Sequence, residues 1–170
     1  ADVEVIVVAN GCIDDTLNYL KNLPNSVKTV WIDEALGYTK ATNIGIQKAV
    51  GEYVVLLNND TVLTPQPINC WLDMLCEPFT RDDKIGITGP LPNYCPDAND
   101  SFMIFFCVMI KKDVLRSVGL LDEIFSPGFG EDTDFCIRAK KLGYKLQQVP
   151  AGAEIRVAEV DDDQIGRAHV

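Results

Sequence analysis

Apolar positions along this chain fall into short runs, and most runs are followed by a polar turn and then a stretch with helical spacing. Val3-Glu4-Val5-Ile6-Val7-Val8 opens as a strand and runs into Ala9-Asn10-Gly11, where Asn-Gly marks a turn. Asp14 or Asp15 can cap a helix over residues 16–23, which Pro24 stops. Residues 27–32 read as a second strand, and Gly37 marks a turn. A helix follows over residues 40–50, with Ile44, Ile46 and Ala49 among its apolar positions and Gly51 closing it. Tyr53-Val54-Val55-Leu56-Leu57 is an unbroken apolar run, the pattern of a strand buried on both faces, and it ends abruptly in Asn58-Asn59-Asp60.

Pro65 and Pro67 then introduce a helix over residues 68–76. Residues 85–90 form a short strand, and residues 91–101 a proline- and Asn/Asp-rich loop. Residues 102–110 are apolar and aromatic and read as a strand. A short helix over residues 112–118 stops at Gly119, and residues 120–130 form a loop. Glu131, Asp132 and Asp134 lead an amphipathic helix over residues 135–142, and residues 144–149 give a last strand. Strands alternating with helices predict an α/β fold with a largely parallel sheet.

Composition narrows the function. A chain of 170 residues is enough for one domain with its own core. A formal charge of −10 excludes general nucleic-acid or anionic-membrane binding, which need basic patches. It leaves room for a phosphate ligand, because a metal ion can supply the local positive charge. Six cysteines without a CxxC pair fit reduced thiols in the cytoplasm and argue against structural zinc. The longest apolar stretch, residues 102–110, is too short to span a bilayer. No signal peptide is visible. The expected location is therefore cytoplasmic, with peripheral contact at the cytoplasmic membrane face left open.

Two acidic clusters carry candidate chemistry. In an open α/β sheet, ligands bind beyond the carboxyl ends of the strands. Asp60 sits at such an end and can hold a hard divalent cation that grips phosphate oxygens. A plain Asx-rich turn would explain the same residues. Glu131, Asp132 and Asp134 suit the positive end of a helix dipole, which accounts for one or two of them. The last six residues, 165–170, equal a reading frame of a common sequencing adapter and are read as non-native, so His169 is given no role.

The stretches "VEVIVVANGCIDDT", "GYTKATNIGIQKAVGEYVVLLNNDTVLTP", "IGITGP", "VGLLDEIF" and "GEDTDFCIRAKKLGYKLQQVP" resemble family 2 glycosyltransferases in order and spacing, over roughly residues 3–156. The Leu-Leu-Asn-Asn-Asp strand end is most similar to the rhamnosyltransferase-like branch. The resemblance implies a GT-A domain over residues 1–164: a Rossmann-like, mixed, mostly parallel sheet flanked by helices. It further implies sugar transfer from a nucleotide diphosphate sugar to a glycan or lipid-linked acceptor hydroxyl, with inversion and with Mg²⁺ or Mn²⁺, in polysaccharide or glycan synthesis.

Residue by residue, the resemblance makes Asp60 the metal ligand and Asn59 a donor contact, with Asn58 replacing the family's first carboxylate. Asp132 matches the catalytic base and Glu131 lies beside it on the donor; chemistry alone would rank the two nearly equal. Asn10 and Gly11 match the loop that holds the nucleobase. Ala9 stands where an aspartate often reads uracil, which leaves the base open. Lys40 and Asn43 match the helix facing the nucleotide, Lys40 toward a phosphate, although a solvated surface lysine is the competing reading. Arg156 stands near the place of an additional histidine metal ligand. Acceptor choice is assigned to residues 91–106.

The family's first strand would precede Asp2. Its absence is expected to open a gap in the sheet, with an edge through which copies can pair. Two other functions compete. A nucleotidyltransferase shares the acidic strand end but usually carries a Gly-rich basic phosphate loop, which is not visible here. A non-catalytic module would bind nucleotide or a protein through the apolar patch at the gap.

Overall fold

The computed structural model describes residues 2–63, 65–90, 102–149 and 155–157. In chain order the elements are β1 (Val5–Asn10), α1 (Thr16–Lys21), β2 (Val27–Ile32), α2 (Tyr38–Lys48), β3 (Tyr53–Leu57), β4 (Thr61–Leu63) and α3 (Cys70–Arg81). There follow β5 (Ile85–Pro90), β6 (Cys107–Lys111), α4 (Lys112–Val118), a 3-10 turn (Glu123–Phe125), α5 (Glu131–Lys141), β7 (Lys145–Val149) and β8 (Ile155–Val157).

The main sheet has the order β3-β6-β5-β7. β6 lies between β3 and β5 and runs against both, while β5 and β7 are parallel. β1 and β2 form a separate parallel pair, and β4 pairs antiparallel with β8. The sheet is thus mixed, as expected, but antiparallel ladders outnumber parallel ones among the described residues because β6 reverses direction between its neighbours. Among these residues β3 has a ladder partner on one side only, and so does β1. A strand with the pattern of a sheet interior therefore stands at an edge.

Two apolar clusters flank the main sheet. Val108 and Ile110 of β6 face one cluster with Val54, Leu56, Ile87, Val114, Phe135 and Leu146. Cys107 and Met109 face the other with Leu75, Phe79, Ile85 and Val149. The two-residue alternation of a strand puts successive side chains on opposite faces. α4 and α5 cover the first face and α3 the second. The five described cysteines are free thiols.

Several elements depart from the sequence expectation. α5 starts at Glu131, four residues early, β4 and β8 are not among the expected strands, and α3, β6 and α2 have shifted bounds. α3 starts at Cys70 and continues to Arg81, past the expected end at residue 76 and through Pro78. Leu75, Pro78 and Phe79 are buried, and that packing outweighs the roughly 3 kcal/mol cost of an interior proline. The strand expected over residues 102–110 begins only at Cys107. Upstream of it, the Phe105 carbonyl accepts from the Tyr38 hydroxyl at the start of α2 (3.1 Å) and the Phe106 carbonyl from the Asn58 N–H in the turn after β3 (2.8 Å), so neither serves the ladder. α2 begins at Tyr38, two residues early. It ends at Lys48, where Ala49 turns extended (ψ 132°), and not at Gly51.

Candidate active site

The candidate site lies where residues 105–106 tie the end of β3 to the starts of α2 and α5, through Asn58, Tyr38 and Phe135. Beyond Leu57, the Asn58 N–H holds the Phe106 carbonyl and the Thr61 N–H returns to the Asn58 carbonyl (3.3 Å), closing Asn58–Asp60 into a tight turn. Asn59 is exposed at its tip. Asp60 is half-buried, and its Oδ1 is buried without a hydrogen-bond partner among the described residues, as is Thr61 Oγ1. A bare buried carboxylate oxygen is an unsatisfied acceptor that calls for a cation or a donor.

α5 enters through two residues in left-handed conformation, Phe129 (φ 77°) and Gly130 (φ 100°). A Cβ on Gly130 would meet the Phe125 ring at 3.0 Å, so this turn needs glycine for space as well as for φ. Glu131 follows and is only 6% exposed, with Oε2 lacking a hydrogen-bond partner among the described residues. Burial pushes its carboxyl above the ordinary carboxylate value and the adjacent Asp132 charge adds to that, while its own N–H and that of Phe129 oppose the rise. Asp132 is half-buried, and its Oδ1 accepts from the Thr133 N–H (2.6 Å) and hydroxyl (3.2 Å).

Tyr38 ties the two acidic clusters together. Burial pushes its phenol up to about 12, and the charges of Glu131, Asp132 and Asp60 push the same way against a hydrogen bond with Thr42. One hydroxyl therefore senses all three carboxylates, which come from two distant stretches of chain. Among the described residues no three His, Cys, Asp or Glu side chains lie close enough to hold a metal by themselves.

The remaining expected ligands are placed differently. Asn43 is 3% exposed; its amide donates to the Leu121 carbonyl (2.9 Å) and Glu123 Oε1 (3.2 Å) and accepts from the Leu121 N–H (3.0 Å). In this structure Asn43, expected as a nucleotide contact, clamps α2 to the loop before α5. Asn10 accepts from the Leu36 N–H (2.8 Å), and the Gly11 N–H donates to the Ile32 carbonyl (2.9 Å). A Cβ on Gly11 would lie 2.5 Å from the Ala35 nitrogen, and its φ is 68°. These two residues shape the loop after β1 against residues 35–37. Lys40 is half-buried on the first turn of α2. The backbone of Arg156 pairs in register with Val62, two residues beyond Asp60. Of the stretch expected to choose the acceptor, only residues 102–106 are described; residues 91–101 and 165–170, His169 included, lie outside.

Sequence reasoning did not find Tyr38, the Asn43 clamp or the burial of Glu131. Gly37-Tyr38 at a helix start was the available signal for the first. The other two depend on contacts made only in the fold.

The profile of Glycosyl transferase family 2 matches residues 1–103. No curated protein matches the chain in sequence. Solved structures with a similar fold include the mannosyltransferase PcManGT from Pyrobaculum calidifontis in complex with GDP-Man and Mn²⁺ (TM-score 0.68, 17% identity, 86% of this chain and 45% of that one). GalNAc-T7 with UDP, GalNAc and Mn²⁺ is another (0.69, 17%, 86% and 36%). A third is glucosyl-3-phosphoglycerate synthase from Mycobacterium tuberculosis in complex with Mn²⁺, UDP and glucosyl-3-phosphoglycerate (0.63, 18%, 86% and 58%). The likeness is one of fold, and this chain spans between 36% and 58% of their lengths. No helix among the described residues is long and apolar enough to cross a membrane.

Proposed function

The chain belongs to glycosyltransferase family 2, and on that premise we propose that its site moves a sugar from a nucleotide diphosphate sugar to an acceptor hydroxyl, with inversion. The observation that carries this reading is the buried Asp60 Oδ1, without a hydrogen-bond partner among the described residues, in the turn that ends β3. Asp60 fits the role of metal ligand, because its Oδ1 is a buried, unpartnered oxygen of the kind Mg²⁺ or Mn²⁺ takes. With one protein carboxylate available, the diphosphate and water complete the set. A cation held there offsets the charge that builds on the departing diphosphate.

Asp132 serves as the base. Thr133 holds its Oδ1, and the carboxylate takes the proton of the acceptor hydroxyl as that oxygen bonds to C1 and the C1–O bond to the diphosphate breaks. Glu131 offers its buried Oε2 to a hydroxyl of the donor sugar, Asn59 contacts the donor beside Asp60, and Lys40 neutralises a phosphate. The Asn10-Gly11 loop takes the nucleobase. The Leu-Leu-Asn-Asn-Asp strand end favours the rhamnosyltransferase-like branch. A glycan or lipid-linked acceptor, polysaccharide assembly and a cytoplasmic place of work follow from the same lineage. The one-sided edges of β1 and β3 favour pairing between copies. They also favour a second reading, a non-catalytic domain that docks a partner strand.

The test is release of nucleoside diphosphate from a panel of UDP-, GDP- and dTDP-sugars, with methyl glycosides as acceptors, in wild type and Asp132→Asn. The expected result is metal-dependent release from one donor, slowed about 10²- to 10⁴-fold in the variant, with nucleotide affinity unchanged. Equal rates in the two proteins would remove Asp132 from the chemistry. Nucleotide binding with no turnover in wild type would favour the second reading.

A further inference from the structure

We propose that Phe129 is the platform on which the acceptor's sugar ring stacks, bringing its hydroxyl to Asp132; this deepens the reading above and rests on it. Phe129 has φ 77° and is 90% exposed. A bulky L residue in the left-handed region is strained, at a cost of order 1–3 kcal/mol. Folding gives no return for that strain, since the ring fills no core and a glycine would relax the backbone. Gly128 and Gly130 lie on either side, yet the position between them carries an aromatic side chain.

The loop is braced on both sides of this residue. The Tyr38 N–H donates to the Pro127 carbonyl (2.6 Å), and the Ser126 hydroxyl donates to the Leu36 carbonyl (3.0 Å). Asp122 accepts from the Ile124 N–H (3.0 Å), and the Phe125 ring packs against Gly130. The Phe129 N–H itself acts on the Glu131 carboxyl. The strained conformation is therefore built into the same turn that sets up Glu131 and Asp132.

The chemistry around the ring selects the occupant. Leu36 and Ile124, on the two braced loops, are exposed apolar residues as well. Glu131 and Asp132 sit two and three residues away and repel anions. A neutral ligand with one apolar C–H face and a hydroxyl-bearing edge meets both demands, and a pyranose ring has that form. An aromatic face supports such stacking, with the hydroxyl edge turned toward the carboxylates. The base must lie on the acceptor's side of the reaction, which makes the acceptor sugar the ligand that meets Phe129.

The experiment uses methyl glycosides of glucose, galactose, mannose and rhamnose as probes, in the presence of Mn²⁺ and the nucleoside diphosphate that binds. Glycoside and nucleotide affinities are measured for wild type, Phe129→Ala, Phe129→Gly and Phe129→Trp, together with their melting temperatures. The expected result is a three- to tenfold weaker glycoside affinity in the alanine and glycine variants, about the size of one aromatic stack, with affinity kept in the tryptophan variant. Nucleotide affinity stays unchanged, and the glycine variant melts no lower than wild type because it loses strain and no packing. A structural role would instead lower its melting temperature. Glycoside affinity that is equal in wild type and Phe129→Ala overturns the proposal. So does a wild type that binds nucleotide with Mn²⁺ but none of the glycosides. A wild type that binds no nucleotide overturns the donor-site reading beneath it, and the platform falls with it.

Discussion

Replacing Glu131 by glutamine separates what this carboxyl does to the fold from what it does in the site. The side chain is 6% exposed and its Oε2 has no partner among the described residues. Its ordinary value is 4.5, and burial raises it in the folded state. The sign follows from that rise. Below about pH 4.5 the group is protonated whether the chain is folded or not, and it costs nothing. As pH climbs above 4.5 the unfolded chain gives up this proton while the folded chain still holds it, so the native state loses stability until pH has passed the folded value. An unsatisfied buried polar group costs about 1–3 kcal/mol, more when charged. Glutamine has nearly the same shape and no charge. Glu131→Gln is therefore expected to melt above wild type at pH 7, by about 2–4 °C for each kcal/mol that the buried charge costs. The gap should close at pH 4. The assay is a pair of thermal melts followed by circular dichroism at the two pH values, with sugar transfer measured beside them; transfer should fall as stability rises. A variant that melts at or below wild type at pH 7 would refute the claim that this carboxyl is held at a cost to the fold.

Glu4 has the opposite sign. Its hydrogen bond from Lys28, joined by the Val50 N–H, holds its carboxyl down at about 2 against an ordinary 4.5. The stability it contributes is present above pH 4.5 and is lost as pH falls through about 2. Glu4→Gln should melt below wild type at pH 7, with most of the difference gone by about pH 2. Asn43→Ala should cost about 1–3 kcal/mol for each Leu121 backbone group left unpaired. Hydrogen exchange would show it as faster exchange at the Leu121 N–H.

The sequence pattern reveals most of the frame. Val27–Ile32, Tyr53–Leu57, Ile85–Pro90 and Lys112–Val118 lie where the apolar runs place them, because each run is short, dense and bounded by turn residues. Pro78 misleads, since a local rule about proline is overridden by the buried Leu75 and Phe79 beside it. Phe102–Phe106 misleads for a related reason: apolar residues are buried equally well outside a ladder when their carbonyls find partners such as Tyr38 and Asn58. β4 and β8 are short strands whose pairing joins residues far apart in the chain, and neither has a local signal.

Asp60 and the Glu131-Asp132 pair are visible in the sequence through the register of the family resemblance, since a helix dipole by itself accounts for one or two of the acidic residues at the start of α5. Tyr38 and the Asn43 clamp are not. Their meaning lies in contacts to Phe105 and to Leu121, 67 and 78 residues away.

The most direct measurement is thermal melting of wild type and Asp60→Ala with UDP, GDP and dTDP, each with and without Mn²⁺. Ligand that binds only the folded state at about a hundred times its Kd stabilises by roughly 2.7 kcal/mol. The predicted result is a rise of about 5–10 °C for one nucleotide, present only with Mn²⁺ and absent in Asp60→Ala. A folded wild type that no nucleotide stabilises, or a variant that keeps the full metal-dependent rise, would contradict the assignment of Asp60 as the cation's anchor in a working donor site.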